Sequence, residues 1–253
     1  MPNRMKVGVV ACLATAALGC GTTTAPDALV PSGPQGRVRL VNVITDVTRG
    51  RVNASLEGLV FGVNLDYTMS APASLPAPAT APYAAVLSGN RTFVLKRTAD
   101  TTVTVATFGF AIGEGEDRTV YAVGGAGGSA ITSVITTDDN SAVASTASRI
   151  RVINLSPTAG AIDVFLTPVG ADLATATPGA AGLIRTAAAA FTVPPGTYQF
   201  RAVPAGTPPA SRAASVTITL SPIVLAGGTG RTIVAADNNV GGAPLRAFVL
   251  TDR

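Results

Sequence analysis

Carboxylates are the main side chains in this sequence that could move protons near neutral pH. The chain has no histidine, and its two cysteines, Cys12 and Cys20, both fall within the first 20 residues. This removes the commonest general base, the usual zinc and copper ligands, a cysteine nucleophile and the Ser-His-Asp arrangement. What remains is acid–base work by a carboxylate pair, as in glycosidases that flank the scissile bond with two acids. Most of the 14 acidic residues stand in or beside turn-forming stretches. Asp163 is the strongest single candidate because it lies inside a predicted strand, where its competing role is to bond a neighbouring loop.

Two acidic stretches could offer oxygens to a hard cation. One is Asp138-Asp139 and the other is Glu114-Gly-Glu-Asp117. Neither carries the calcium-loop pattern with its terminal glutamate, so both read as solvated connections. Gly124-Gly-Ala-Gly-Gly128 invites comparison with a phosphate-cradling loop. The spacing is not G-x-G-x-x-G and the next stretch reads as a strand, not a helix, so a hairpin connection is the better reading. The expectation is a protein that is not an enzyme and holds no cofactor and no metal.

The formal charge is +4, falling to +2 if a leader carrying Arg4 and Lys6 is removed. Basic residues are spread singly, without the runs or aromatic interleaving that track a phosphate backbone, so nucleic acid is not an expected partner. Aromatic content of 5% and the absence of tryptophan argue against the ring platforms on which sugars stack. Asn53-Ala-Ser and Asn90-Arg-Thr match the glycosylation sequon, a pattern short enough to arise by chance.

The elements that must position any such site come from a duplication, which is sought first because a missed repeat misassigns the fold. Arg37-Val-Arg-Leu-Val-Asn42 corresponds to Arg149-Ile-Arg-Val-Ile-Asn154, 112 residues later. Arg118-Thr119 corresponds to Arg231-Thr232, and Thr137-Asp138 to Thr251-Asp252, at offsets of 113 and 114. A period of about 110 is long enough for a domain with its own core. Within each copy, short apolar runs alternate with Gly, Pro, Asn and Asp, and no segment has helical periodicity. Strands are predicted near residues 37–44, 52–57, 59–66, 83–87, 92–98, 102–108, 118–123 and 131–137. In the second copy they are predicted near 149–155, 161–167, 197–201, 215–220, 226–235 and 245–251. The fold class is therefore all-β, with two tandem antiparallel β-sandwich domains of the immunoglobulin or transthyretin kind. Repeat 1 spans 37–139, a linker 140–148, and repeat 2 spans 149–253. Residues 70–82 hold four prolines and read as a loop with polyproline character.

At the N-terminus, residues 1–19 form a short basic head, an apolar run and a small-residue end, the pattern of a secretory signal. Ala17-Leu18-Gly19-Cys20 resembles the lipobox of bacterial lipoproteins, with Ala17 where leucine is usual. That resemblance implies acylation of Cys20, which also explains a leftover cysteine in an exported chain. An ordinary signal peptide cut after Ala17 is the alternative. The lipobox resemblance further implies, with Gly21 and not aspartate after the cysteine, the outer membrane of a diderm bacterium; residues 20–36 read as a flexible tether.

The second copy carries a family resemblance. Arg149-Ile-Arg-Val-Ile-Asn-Leu-Ser-Pro157, Ala161-Ile-Asp-Val-Phe165, Val193-Pro-Pro-Gly-Thr-Tyr198 and Leu225-Ala-Gly-Gly-Thr-Gly-Arg-Thr-Ile-Val234 are similar to the bacterial domain-of-unknown-function family numbered 4397. In the first copy Thr45-Asp46 stands in place of the Ser-Pro pair, and Asn53 in place of the aspartate. The resemblance implies an exported or lipid-anchored protein of tandem sandwiches and supplies no catalytic residues. The expectation is a lipid-anchored envelope protein with a structural or binding role, meeting the membrane through its lipid. Its partners would be an envelope protein or polysaccharide. The rivals are an adhesin-like module gripping such a partner through its loops and a carboxylate-dependent hydrolase using Asp163.

Overall fold

A computed structural model describes residues 32–72 and 82–252. The leader, Cys20, most of the tether and residues 73–81 of the proline-rich stretch lie outside the described residues. The first copy contributes β1 (Gln35–Ile44), β2 (Val52–Leu56), β3 (Leu59–Leu65), β4 (Ser70–Ala71), β5 (Ala84–Leu87), β6 (Gly89–Arg97), β7 (Asp100–Ile112), β8 (Asp117–Gly124) and β9 (Ile131–Asp138). The second contributes β10 (Ser148–Asn154), β11 (Ile162–Pro168), β12 (Ala180–Leu183), β13 (Ala188–Val193), β14 (Gly196–Pro204), β15 (Ile218–Thr219), β16 (Ile223–Leu225), β17 (Gly230–Ala236) and β18 (Arg246–Thr251). The fold is all-β, and no described helix is long and apolar enough to cross a membrane.

Four sheets result. In the first copy the order β4-β1-β8-β9, with β5 also on β1, faces β3-β2-β6-β7. In the second, β13-β10-β17-β18 faces β12-β11-β14-β15, with β16 also on β14. Phe93, Leu95, Val38 and Val120 anchor the first core, and Phe200, Ile150, Val164 and Ile233 the second. Alternation explains β2, whose Val52, Ala54 and Leu56 point inward while Asn53 and Ser55 are half-buried. It does not explain β1, where every residue from Leu40 to Ile44 is buried. The reason is a third core. Val41, Val43, Tyr121 and Val123 on the outer face of the first copy pack against Ile153, Leu155, Val234 and Ala236 of the second. Strands covered on both faces read as continuous apolar runs, and residues Gly33–Arg253 consequently cluster as one compact unit.

Within this sandwich class, one pairing in each copy runs parallel: β1 with β8, and β10 with β17. Parallel neighbours need a long crossover, and here most of a copy lies between the paired strands. The asparagine ending each first strand has the same task in both copies. Asn42 Nδ2 donates to Leu65 O at 3.0 Å, and Asn154 Nδ2 to Leu183 O at 3.0 Å, so each ties its strand end to the facing sheet.

Three differences from the sequence expectations have physical causes. The stretch predicted as a strand over 215–220 is one only at Ile218–Thr219, because Ala213–Ser215 closes a 3-10 turn and Val216 packs under Phe165 and Val203. The proline-rich loop opens with a two-residue edge strand pairing Ser70 and Ala71 with Val41 and Leu40. The linker is not loose: Gly228 N donates to Ala144 O at 3.1 Å and Ala147 O at 2.9 Å. A Cβ on Gly227 would sit 1.7 Å from Ser145 O. Gly227→Ala is therefore expected to cost about 1–3 kcal/mol as an overpacked contact, read as a lower urea midpoint; an unchanged midpoint would show that the linker is not held there.

Candidate functional site

The densest polar cluster lies between the two copies and is built from the residues that mark the repeat. Arg39 on β1 and Arg151 on β10 face outward from their own sandwiches, on the side opposite Leu40 and Val152. Each meets the threonine beside it on the parallel strand. Arg39 Nε and Nη2 donate to Thr119 Oγ1 at 3.2 and 3.0 Å, and Arg151 Nε donates to Thr232 Oγ1 at 2.9 Å. The carboxylates then cross between copies. Arg39 Nη2 pairs with Asp252 Oδ1 of the second copy at 2.9 Å, and Arg151 Nη1 with Asp138 Oδ1 of the first at 2.9 Å. Asp252 also lies 3.2 Å from Arg151 Nη2, and Asp138 lies 4.0 Å from Arg39 Nη2. Each aspartate is held by its own copy's threonine as well, Thr232 to Asp252 at 2.8 Å and Thr119 to Asp138.

Side-chain exposure of 0–10% across the four charged groups places this exchange away from solvent, where ionic pairing persists only if hydrogen bonds complete it. Tyr83 helps: its hydroxyl donates to Asp138 Oδ2 at 2.8 Å, and its ring lies 4.5 Å beneath the Arg39 guanidinium. Burial pushes the Tyr83 hydroxyl up to about 12. Burial alone would lower the Arg151 pKa, but Asp138 and Asp252 outweigh it and raise it above the ordinary value. The cluster is a two-way ionic clasp between sandwiches.

Asp163, Asp138, Asp139, Glu116 and Asp117, singled out in the sequence, are each engaged within the fold. Asp163 receives Gly182 N at 2.8 Å on one oxygen and Gly206 N at 3.0 Å on the other, so it bonds two neighbouring loops. Asp138 is buried in the clasp, correcting its reading as part of a solvated connection, while Asp139 pairs with Arg149 at 3.1 Å. Glu116 pairs with Arg118 at 2.9 Å and Asp117 with Arg37. Among the described residues no group of three or more acidic or sulfur ligands could hold a metal. The stretch 124–128 joins the antiparallel pair β8 and β9 as a hairpin, with Gly124 at φ +99°.

A cleft of about 550 Å³ opens at the far end of the same interface, where β1, β8, β10 and β17 finish. Its floor repeats the internal symmetry, with Val43 and Val123 from one copy and Leu155 and Ala236 from the other. Arg185, on the turn between β12 and β13, and Asp237 stand at its edge. Asp237 is 2% exposed. Its oxygens accept from the hydroxyls of Ser156 and Thr158, the latter at 2.7 Å, and from Gly242 N at 2.6 Å. Burial pushes this carboxyl up, but the Ser156 and Thr158 hydrogen bonds hold it below the usual carboxylate range. A depressed carboxylate stabilises the fold above its unfolded pKa of about 3.9, and that contribution is lost as pH falls through the lower folded value. In thermal melts from pH 5 down to pH 2, Asp237→Asn is expected to flatten the acid limb; parallel limbs for both proteins would refute this.

No curated protein matches the chain in sequence. Among solved structures, it is similar to CBMbc (family CBM26) from Eubacterium rectale Amy13K, solved in complex with maltoheptaose. The two share 10% identity over 87% of this chain and 97% of that one, with a TM-score of 0.22. The Bacillus anthracis TIE protein is similar at 10% identity over 67% of this chain and 28% of that one, with a TM-score of 0.19. Both are distant likenesses. The match that carries weight spans residues 36–165, from β1 through the first sandwich and into β11. On that match the chain belongs to the family described as Domain of unknown function (DUF4397).

Proposed function

We propose that this chain is an exported, lipid-anchored protein of the bacterial cell envelope, in the outer membrane, whose 33–253 body serves a structural or binding role without catalysis. The anchor rests on Ala17-Leu18-Gly19-Cys20 and on Gly21 after the cysteine. The observation that carries the non-catalytic reading is the clasp. Four buried charges, Arg39 and Asp138 of one copy and Arg151 and Asp252 of the other, join two sandwiches into one body, and Asp163, the best catalytic candidate, is taken by two loop amides.

The surface favours a protein partner over a polysaccharide. All 8 phenylalanines and 4 tyrosines are buried or half-buried, so no ring stands free as a platform for a sugar. Metabolic labelling with a palmitate analogue tests the anchor: wild-type protein should be labelled and Cys20→Ser should not. Label retained in Cys20→Ser would remove the anchor from this reading. Incubation of the lipid-free 21–253 protein with purified envelope polysaccharide and envelope protein fractions tests the rest. Retention of protein without turnover is expected, whereas turnover abolished by Asp163→Asn would replace the reading with that of a hydrolase.

A further inference from the structure

We propose that the cleft between the two sandwiches binds a small aliphatic monocarboxylate, with its carboxylate on Arg185 and its apolar body on the floor shared by the two copies. The proposal goes beyond the envelope role and stands whether or not Cys20 is acylated.

Three observations meet at this place. The first is size and lining: about 550 Å³ suits a small-molecule pocket. Its floor of Val43, Val123, Leu155 and Ala236 is apolar, with Pro157 on its rim. The second is an uncommitted cation. Most described arginines have a carboxylate or carbonyl partner, but Arg185 is exposed and makes no hydrogen bond or ion pair among the described residues. Its turn is nevertheless fixed, because Thr186 N donates to Asn154 O at 2.7 Å and Ala187 N to Ile184 O at 3.1 Å. The guanidinium therefore stands at the mouth of an apolar cleft with its planar fork free, the geometry that takes a carboxylate through two parallel hydrogen bonds. The third is Asp237, whose negative charge lies in the same lining and is kept ionised by its hydroxyl and amide donors. Arg185 supplies the pairing group, while the fixed negative charge of Asp237 in the same lining repels a dianion such as a phosphate monoester more than a single carboxylate. A single anionic head and an aliphatic body are what these three features select together.

Isothermal titration of the 21–253 protein with octanoate, below its micelle concentration, tests this. Saturable binding of one octanoate per chain is expected, with octan-1-ol and octyl phosphate each weaker by about tenfold or more, the alcohol for want of a charge-assisted pair and the phosphate through repulsion of its second charge by Asp237. Arg185→Gln, which breaks no contact within the fold, should weaken octanoate by about tenfold or more. Lys96→Gln, at an exposed basic residue on β6 away from this lining, should leave binding unchanged and so separates the site from general attraction to positive charge. Ala130→Trp, which fills the rim of the cleft, should abolish binding while the melting temperature stays near that of the parent. Absence of saturable binding overturns the proposal, as does octanoate affinity that Arg185→Gln leaves intact or that Lys96→Gln reduces equally.

Discussion

Arg39→Met should destabilise the folded chain by about 3–5 kcal/mol, the cost of stripping one partner from a buried ion pair. Methionine keeps the length and apolar stem of the side chain, so the loss isolates the guanidinium. That group is 1% exposed and holds Asp252 Oδ1 at 2.9 Å, Thr251 O at 2.8 Å and Thr119 Oγ1. Without it, Asp252 keeps Arg151 at 3.2 Å and Thr232, but one buried oxygen and one strand-end carbonyl lose their donor. Asp252→Asn is a graded control, because an amide retains the shape and part of the hydrogen bonding; its effect should be smaller. Urea denaturation read by intrinsic tyrosine fluorescence gives both values. A midpoint for Arg39→Met that places it within about 1 kcal/mol of wild type would mean that the clasp contributes no more than a surface pair.

Removal of residues 246–253 should have a larger effect still, giving insoluble or rapidly proteolysed protein. β18 pairs with β17 from Arg231↔Thr251 to Ala236↔Arg246. Its loss uncovers the edge of a strand that is buried on both faces, a template for association with other chains. The same deletion removes Leu250 from the shared core and Asp252 from both arginines. These losses fall on a folded chain whose stability is typically only about 5–15 kcal/mol. Size-exclusion chromatography and limited trypsin digestion decide the matter; a monomeric product with an unchanged melting transition would contradict it.

Much of this was legible in the residues because strands of a half-buried sheet alternate. The first-copy strands fall close to their expected positions, and the repeat pairs Arg39 with Arg151, Thr119 with Thr232 and Asp138 with Asp252. Those correspondences are the clasp itself. The signal that could have exposed it was a charged side chain retained in both copies at a strand position opposite an inward leucine or valine. Its meaning depends on which sheets face each other, and strand alternation within one copy carries no information about that. The parallel pairing of β1 with β8 was hidden for the same reason. β13, by contrast, was missed locally: Ala188-Ala-Ala-Phe-Thr-Val193 opens with three alanines, which have little strand preference and become a strand only because β10 offers them an edge. The opposite error at 215–220 arose where alternation was present but only Ile218 and Thr219 stand in ladder register with β14, flanked by single amide bonds from Thr217 and Leu220. The cleft was not legible, since its floor joins residues from four strand ends of two copies.

The crossed pairing also sets an order of events at the ribosome. Arg39 and Asp252 lie 213 positions apart, so the first sandwich is complete as a nascent segment long before its charge partner is translated. At ordinary elongation rates the wait is on the order of ten seconds. An interrupted message would release a half-molecule whose Val41, Val43, Tyr121 and Val123 have no second copy to cover them.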